Sequence, residues 1–333
     1  MRTRRLGSTG LDVSRLALGT MSWGRDTDAD AAAGQLEAFV GAGGTLIDTS
    51  NIYGDGDAES IIGTLIPDVI GRDQVVLSTT TVGVGSGRGA LQRSLDASLR
   101  RLATDRVDLW QIHGFDDSVP VQETVGALEW ALDSGRAAYV GLSGQSAWQV
   151  AGTAATLAAR GRALASAQHE FSLVERSAES ELVPAARRHG LGVLGWAPLG
   201  RGVLTGKYRH GTPADSRGAS PHYARYVGRH RTDLAGRIVE AVATAADGLG
   251  TSPLAVALAW ARDAPGITSA VVGAKDPAQL LGVLGAEELE LPDEIRVALE
   301  DVSDPRADDD FVDVSAPLDD SPDLDGPSGP PVS

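Results

Sequence analysis

Two hydrophobic periods alternate along the chain as far as about residue 285. Short β-branched and apolar runs read as buried strands: RLALGT (15–20), TLIDTS (45–50), VVLST (75–79), VDLWQIH (107–113), AYVGLS (138–143), ASAQHEF (165–171), LGVLGWAP (191–198) and TSAVVGA (268–274). Between them, AAAGQLEAFVGAG, GALQRSLDASLRRL, ETVGALEWALDSG and ESELVPAARRHG carry apolar residues at i, i+3, i+4 and i+7, the period of an amphipathic helix. Several of these runs close on glycine, as helix C-termini do. Eight strand–helix units in one chain predict an α/β fold, a (β/α)8 TIM barrel forming a single domain over residues 1–303. A doubly wound dinucleotide fold would need G-x-G-x-x-G straight after its first strand, and LALGTMSWGRD does not supply it.

Composition narrows the reading further. The 333 residues are 42% hydrophobic, enough for a sizeable core. No run approaches about 18 consecutive apolar residues, so no membrane span is expected. MRTRRLGSTG is not followed by an apolar segment, so no secretory signal is expected either. With no cysteine, disulfides, thiolate catalysis and cysteine metal sites are excluded, which fits a cytoplasmic location. The net charge of −16 is uneven: from Asp304 onward, nine aspartates against one arginine contribute −8. Residues 304–333 therefore read as a disordered, solubilising acidic tail, with a lid reaching back through Phe311 as the alternative. The remaining body has no basic stripe, so a nucleic-acid partner is not expected. The glycines of 83–89 read as a flexible loop, and the long Gly-, Pro- and Ser-containing segment 207–230 as a functional loop closing over cofactor or substrate. No helix face is apolar enough to set an oligomeric state.

In a barrel, the C-terminal ends of the strands carry the chemistry. The polar residues there are Asp48, Asn51 and Tyr53 after the second strand, Thr80 on the third, His113 on the fourth, Ser143 on the fifth and Gln168 on the sixth. Trp196 closes the seventh. Singly, such an Asp is commonly a turn or cap, and such a Tyr or His is commonly packing. Together, Asp48, Tyr53 and His113 suit proton transfer to or from a carbonyl oxygen. Trp23, Trp110, Phe115 and Trp148 are candidate pocket walls.

At these residues the chain resembles a known family. LIDTSNIYGDGDAESIIG, VDLWQIHGFD, YVGLSGQSAWQ, WAPLGRGVLTGKY and VVGAKDPAQL are similar to the signature blocks of the aldo-keto reductase superfamily, in order, from Arg5 to Ser303. The resemblance implies a metal-free, NADPH-dependent barrel that reduces aldehydes and ketones. It implies Asp48, Tyr53 and His113 as three members of a catalytic tetrad, with Tyr53 the general acid and His113 orienting the carbonyl. By the same resemblance, Ser143 and Gln168 would contact the nicotinamide amide and Trp196 would stack on its ring. Pro198, Leu199, Gly200 and Gly202 would wrap the pyrophosphate, and Gly273, Ala274, Lys275 and Gln279 would hold the adenosine 2′-phosphate. The last two blocks also agree with the habit of barrels to bind phosphate after strands seven and eight.

One member is missing. The tetrad lysine aligns with Thr80, and the only lysines, Lys207 and Lys275, belong to other blocks. Arg88 and Arg93 follow the strand, but a guanidinium is hard to deprotonate and has a different reach. Without the cation, Asp48 loses its counter-ion and its charge raises the Tyr53 pKa from about 10. A loss of roughly 10²–10⁴-fold in proton-transfer catalysis is the expected consequence. Gly144 stands where the family usually has Asn, and Gly282 and Val283 where many members have Glu-Asn. The leading expectation is a reductase of small carbonyl compounds with a modified tetrad, His113 taking over proton delivery through a water held by Thr80. The alternatives are a non-redox lyase, dehydratase or isomerase using Tyr53 and His113, or a catalytically silent cofactor-binding protein. The substrate itself is not legible.

Overall fold

The computed structural model describes residues 1–305. Residues 306–333, with nearly all of the expected tail and Phe311, lie outside the described residues. The chain opens with an antiparallel hairpin, β1 (Thr3–Arg5) and β2 (Asp12–Ser14). Eight parallel strands follow: β3 (Leu16–Gly19), β4 (Leu46–Ser50), β5 (Val76–Thr81), β6 (Val107–His113), β7 (Ala137–Ser143), β8 (Ser166–Glu170), β9 (Gly192–Trp196) and β10 (Ile267–Val272). Consecutive strands pair, and β10 returns to β3, closing the (β/α)8 barrel. All eight coincide with the hydrophobic runs read from the sequence, no end shifting by more than two residues. The hairpin was not foreseen, because three-residue strands of mixed polarity carry no periodic signal.

Alternation along each strand sorts side chains between two environments. Ile47, Leu77, Trp110, Ile112, Val140 and Leu142 point outward into the main core beneath the helices. Their neighbours point into the bore. There the floor is apolar, built from Ala17, Leu46, Leu109, Leu194 and Val271 and stoppered by Leu6 and Val13 of the hairpin. The hairpin fits because Gly7, at φ +58°, lies against the Gly190–Gly192 backbone, where a Cβ would come within 2.3 Å of the Gly190 oxygen. One or two residues further along each strand the inward positions turn polar: Asp48, Ser78, Gln111 and Ser166, then Thr80, His113, Ser143 and Gln168. The floor supplies stability, and the polar layers face the opposite mouth. No single helix among the described residues is long and apolar enough to cross a membrane.

Candidate active site

Asp48 is buried in the bore. Its Oδ1 accepts from Ser78 Oγ at 3.0 Å and its Oδ2 from Gln168 Nε2 at 3.1 Å. Burial pushes its pKa up to about 6, against these two hydrogen bonds, which lower it. Gln168, expected at the nicotinamide amide, is thus also the partner of the carboxylate. Its Oε1 accepts from Gln111 Nε2 at 3.1 Å, and Gln111 Oε1 accepts from Ser166 Oγ at 3.0 Å.

Thr80 shares the inward face of β5 with Ser78, one layer nearer the mouth, and is buried. Its Oγ1 lies 3.5 Å from Gln111 Nε2. Its carbonyl oxygen accepts from Ser50 Oγ at 2.9 Å and from the Asn51 N–H at 3.2 Å, tying the start of the Tyr53 loop to β5. Asn51 closes the clamp by bonding the Val82 backbone in both directions. Tyr53 then opens a tight turn, Tyr53–Gly56, in which Asp55 holds φ +54°. Such strain at a non-glycine residue is stored where the surrounding loops over-determine the backbone.

Burial is the largest influence on the Tyr53 phenol, followed by the charge of Asp48 and then by Tyr226 and Tyr223; all raise its pKa, and no cation is among them. The arginines that follow β5 do not supply one. Arg88 pairs with Glu123 on the next helix at 3.6 Å. Arg93 lines a cavity of about 420 Å³ with Asn51, Val84, Ser94 and Arg101, outside the bore.

His113 ends β6 beside Ser143 on β7, the two in register. The imidazole Nδ1 and Ser143 Oγ are 3.1 Å apart. The ring occupies space that any side chain at residue 144 would need: a Cβ on Gly144 would sit 2.5 Å from His113 Cε1 and 3.0 Å from both ring nitrogens. Glycine in place of the family's usual Asn is therefore matched to the position of this histidine.

Trp196 ends β9, half-buried, and Ala197 follows at φ +53°. The turn continues through Pro198, Leu199, Gly200 at φ +55°, Arg201 at φ +56° and Gly202 at φ +92°. Arg201, which the sequence reading passed over, is the hub of this corner. Its guanidinium lies 3.8 Å from the Tyr226 ring centre and 5.5 Å from that of Trp196. It is buried against Glu170, which also pairs with His230 Nε2 at 2.8 Å. Burial alone would raise the Glu170 pKa; the hydrogen bonds from His230 and Arg201 outweigh it and hold the carboxyl below its usual range. This network anchors the 207–230 segment, which folds into the short turns Arg217–Ala219 and Ala224–Gly228 and brings Tyr223 and Tyr226 within electrostatic reach of Tyr53. An Arg25–His222 contact bridges the same segment to the loop after β3.

After β10, Gly273 leaves a possible Cβ position 3.6 Å from its nearest neighbour, an open approach to the backbone. Ala274 is buried, and its carbonyl accepts from Ser22 Oγ at 2.9 Å. Gln279 accepts from the Lys275 N–H at 3.1 Å, and Lys275 Nζ donates to the Asp215 carbonyl at 3.1 Å. Lys207 and Arg217 join this group. Burial chiefly, with the like charges of Arg217 and Lys275, holds the Lys207 pKa below its ordinary value, while Tyr208 and Asp215 oppose the shift. Arg217 and Lys275 lie within electrostatic reach of Lys207, and like charges so gathered repel one another until an anion joins them. That donor set fits the phosphates of a dinucleotide cofactor.

Of the candidate pocket walls, Trp23 and Trp110 are fully buried core residues and not walls, because each packs behind a strand on its outward face or under a helix. Trp148 is 65% exposed, edge-on to Phe115 with ring centres 5.7 Å apart. Ser78, Gln111 and Ser166 went unnoticed in the sequence, although each stands two positions before a strand-end candidate. That spacing is the signal that finds them, since residues i and i+2 share a face.

Comparison with known proteins agrees with this geometry. The model of the aldo/keto reductase family matches residues 15–303. An uncharacterized oxidoreductase of Bacillus subtilis is 37% identical over 315 residues, covering 89% of this chain and 94% of that protein. A probable voltage-gated potassium channel subunit beta of Oryza sativa subsp. japonica is 36% identical, covering 84% and 89%. Aflatoxin B1 aldehyde reductase member 2 of Homo sapiens is 31% identical, covering 82% and 79%. Fold and likeness together define an oxidoreductase built on a (β/α)8 barrel. The chain belongs to the aldo/keto reductase family.

Proposed function

We propose that this protein is an NADPH-dependent reductase of small aldehydes and ketones whose proton-delivery machinery has been modified. One observation carries the reading: Asp48, Tyr53, His113, Ser143, Gln168 and Trp196 converge on one mouth of the barrel, beside a cation cluster suited to phosphates. NADPH bound there would supply the hydride. Pro198, Leu199, Gly200 and Gly202 would wrap its pyrophosphate, with Gly273, Ala274, Lys275 and Gln279 at the adenosine end. Ser143 and Gln168 would meet the nicotinamide amide, and Trp196 its ring.

The chain's own groups handle the carbonyl oxygen. His113, held by Ser143 and seated on Gly144, presents its imidazole to that oxygen and orients it. Tyr53 stands on the same rim as proton donor, weakened by burial and by the Asp48 charge. Tyr223 and Tyr226, from the 207–230 segment, lie within electrostatic reach of the Tyr53 phenol.

The sign of the pH dependence follows. Above about 6, Asp48 is ionised and its charge makes the Tyr53 phenol a poorer acid; below that value the carboxyl is neutral and the phenol donates more readily. NADPH-linked reduction of a panel of short aldehydes, measured from about pH 5 to about pH 8, is expected to rise on the acid side with a midpoint of about 6. The midpoint should vanish in Asp48→Asn. A flat wild-type profile would remove Asp48 from the proton chemistry.

A second reading draws on the lack of a cation acting on Tyr53 among the described residues: a protein that binds the cofactor without turning over carbonyls. Saturable cofactor binding with no reduction of any aldehyde in the panel would favour it.

A further inference from the structure

Gln111 lies at the centre of the polar layer, its side chain fully buried. Its Oε1 accepts from Ser166 Oγ at 3.0 Å, and its Nε2 donates to Gln168 Oε1 at 3.1 Å. The same nitrogen lies 3.4 Å from Ser78 Oγ and 3.5 Å from Thr80 Oγ1. Both donors on the Asp48 carboxylate, Ser78 and Gln168, are therefore neighbours of this one amide.

An amide has a direction. With its carbonyl turned to Ser166, Gln111 offers N–H to the carbonyl of Gln168, which leaves the Gln168 N–H for Asp48. If Gln168 were turned over, its carbonyl would face the carboxylate, oxygen against oxygen, and its N–H would face that of Gln111. Two unfavourable contacts would replace two hydrogen bonds in a site closed to water, where such losses are felt in full.

We propose that Gln111 is a positioning residue of this site: it fixes the sense of Gln168, so that a neutral, directed N–H stands against Asp48 in the bore, where the resemblance would put a lysine ammonium. A relay Ser166–Gln111–Gln168–Asp48 then sets the carboxylate without a charge. The consequence for turnover rests on the reductase reading above; the hydrogen-bond geometry does not.

A purely structural amide would cost stability when removed and nothing else. A positioning amide changes the proton affinity of Asp48, because a misdirected Gln168 no longer stabilises the ionised form. Tyr53 is the titratable group whose charge couples to Asp48; its other close neighbours, Ser78, Gln168 and Thr20, are uncharged.

The test is Gln111→Met in the full chain, with Asp48 followed by carboxyl-carbon NMR titration and NADPH-linked reduction measured in parallel. We expect the Asp48 midpoint to rise by about one pH unit, a tenfold gain in proton affinity, and the acid-side rise in turnover to move to higher pH by the same amount. Should the methionine variant not fold, Gln111→Leu serves: it too removes the N–H toward Gln168, adds no charge beside Asp48, and should move Asp48 the same way. An unchanged midpoint in a folded variant overturns the proposal. A shifted midpoint in a protein whose wild type reduces no carbonyl supports the role of Gln111 while sinking the reductase reading.

Discussion

Thr80→Lys raises the rate of NADPH-linked carbonyl reduction by about 10²-fold, within the roughly 10²–10⁴-fold that general acid catalysis contributes. The expectation comes from the parity of β5. Ser78 and Thr80 point into the bore, and Ser78 already touches Asp48. Thr79 and Thr81 point outward to Glu59 and Trp110. A lysine at position 80 therefore enters the polar layer one step above Asp48. Its charge would pair with the carboxylate and lower the phenol's pKa, which burial, Asp48, Tyr226 and Tyr223 now all raise. The measurement is kcat on a short aldehyde at neutral pH in both proteins. An unchanged rate in a variant that still binds the cofactor tightly would show that proton delivery does not limit this enzyme.

Gly144→Ala acts in the opposite direction, lowering kcat/KM about 10²-fold. Two costs add. The backbone at φ +62° disfavours any side chain, by about 1 kcal/mol. The new methyl also falls on the His113 ring, 2.5 Å from Cε1. The imidazole must swing out, breaking its 3.1 Å contact with Ser143 and leaving the carbonyl unoriented. The melting temperature should fall by only a few degrees, because Gly144 lies at the mouth and not in the core. Wild-type kinetics in a folded Gly144→Ala protein would mean that His113 does not act from this position.

Much of this was readable in advance, for definite reasons. The strands of a parallel barrel are buried on both faces, so they stand out as short runs rich in apolar and β-branched residues, and all eight coincide with such runs. Strand-end residues could be picked because the fold puts chemistry there. The interior network was harder. Gln111 lies mid-strand and Ser166 opens its strand, each between apolar neighbours, and nothing in their own identity says that they face the bore. Only the i+2 relation to His113 and Gln168 reveals it. Trp23 and Trp110 misled because tryptophan near a strand end looks alike whether it lines a pocket or packs outward. Arg201, Glu170 and His230 come from three separate stretches of chain, and no local pattern joins them. The role of Gly144 likewise depends on where a ring from another strand comes to rest.

The most direct test is an NADPH titration of the full-length protein, following the quenching of tryptophan emission, with NADH alongside. Trp196 sits at the expected nicotinamide position, and Lys207, Arg217 and Lys275 gather near the expected phosphates. Saturable binding at micromolar NADPH, weaker for NADH, is the predicted result. No quenching at millimolar concentrations of either nucleotide would contradict the reductase assignment and leave Tyr53 and His113 to acid–base chemistry of another kind.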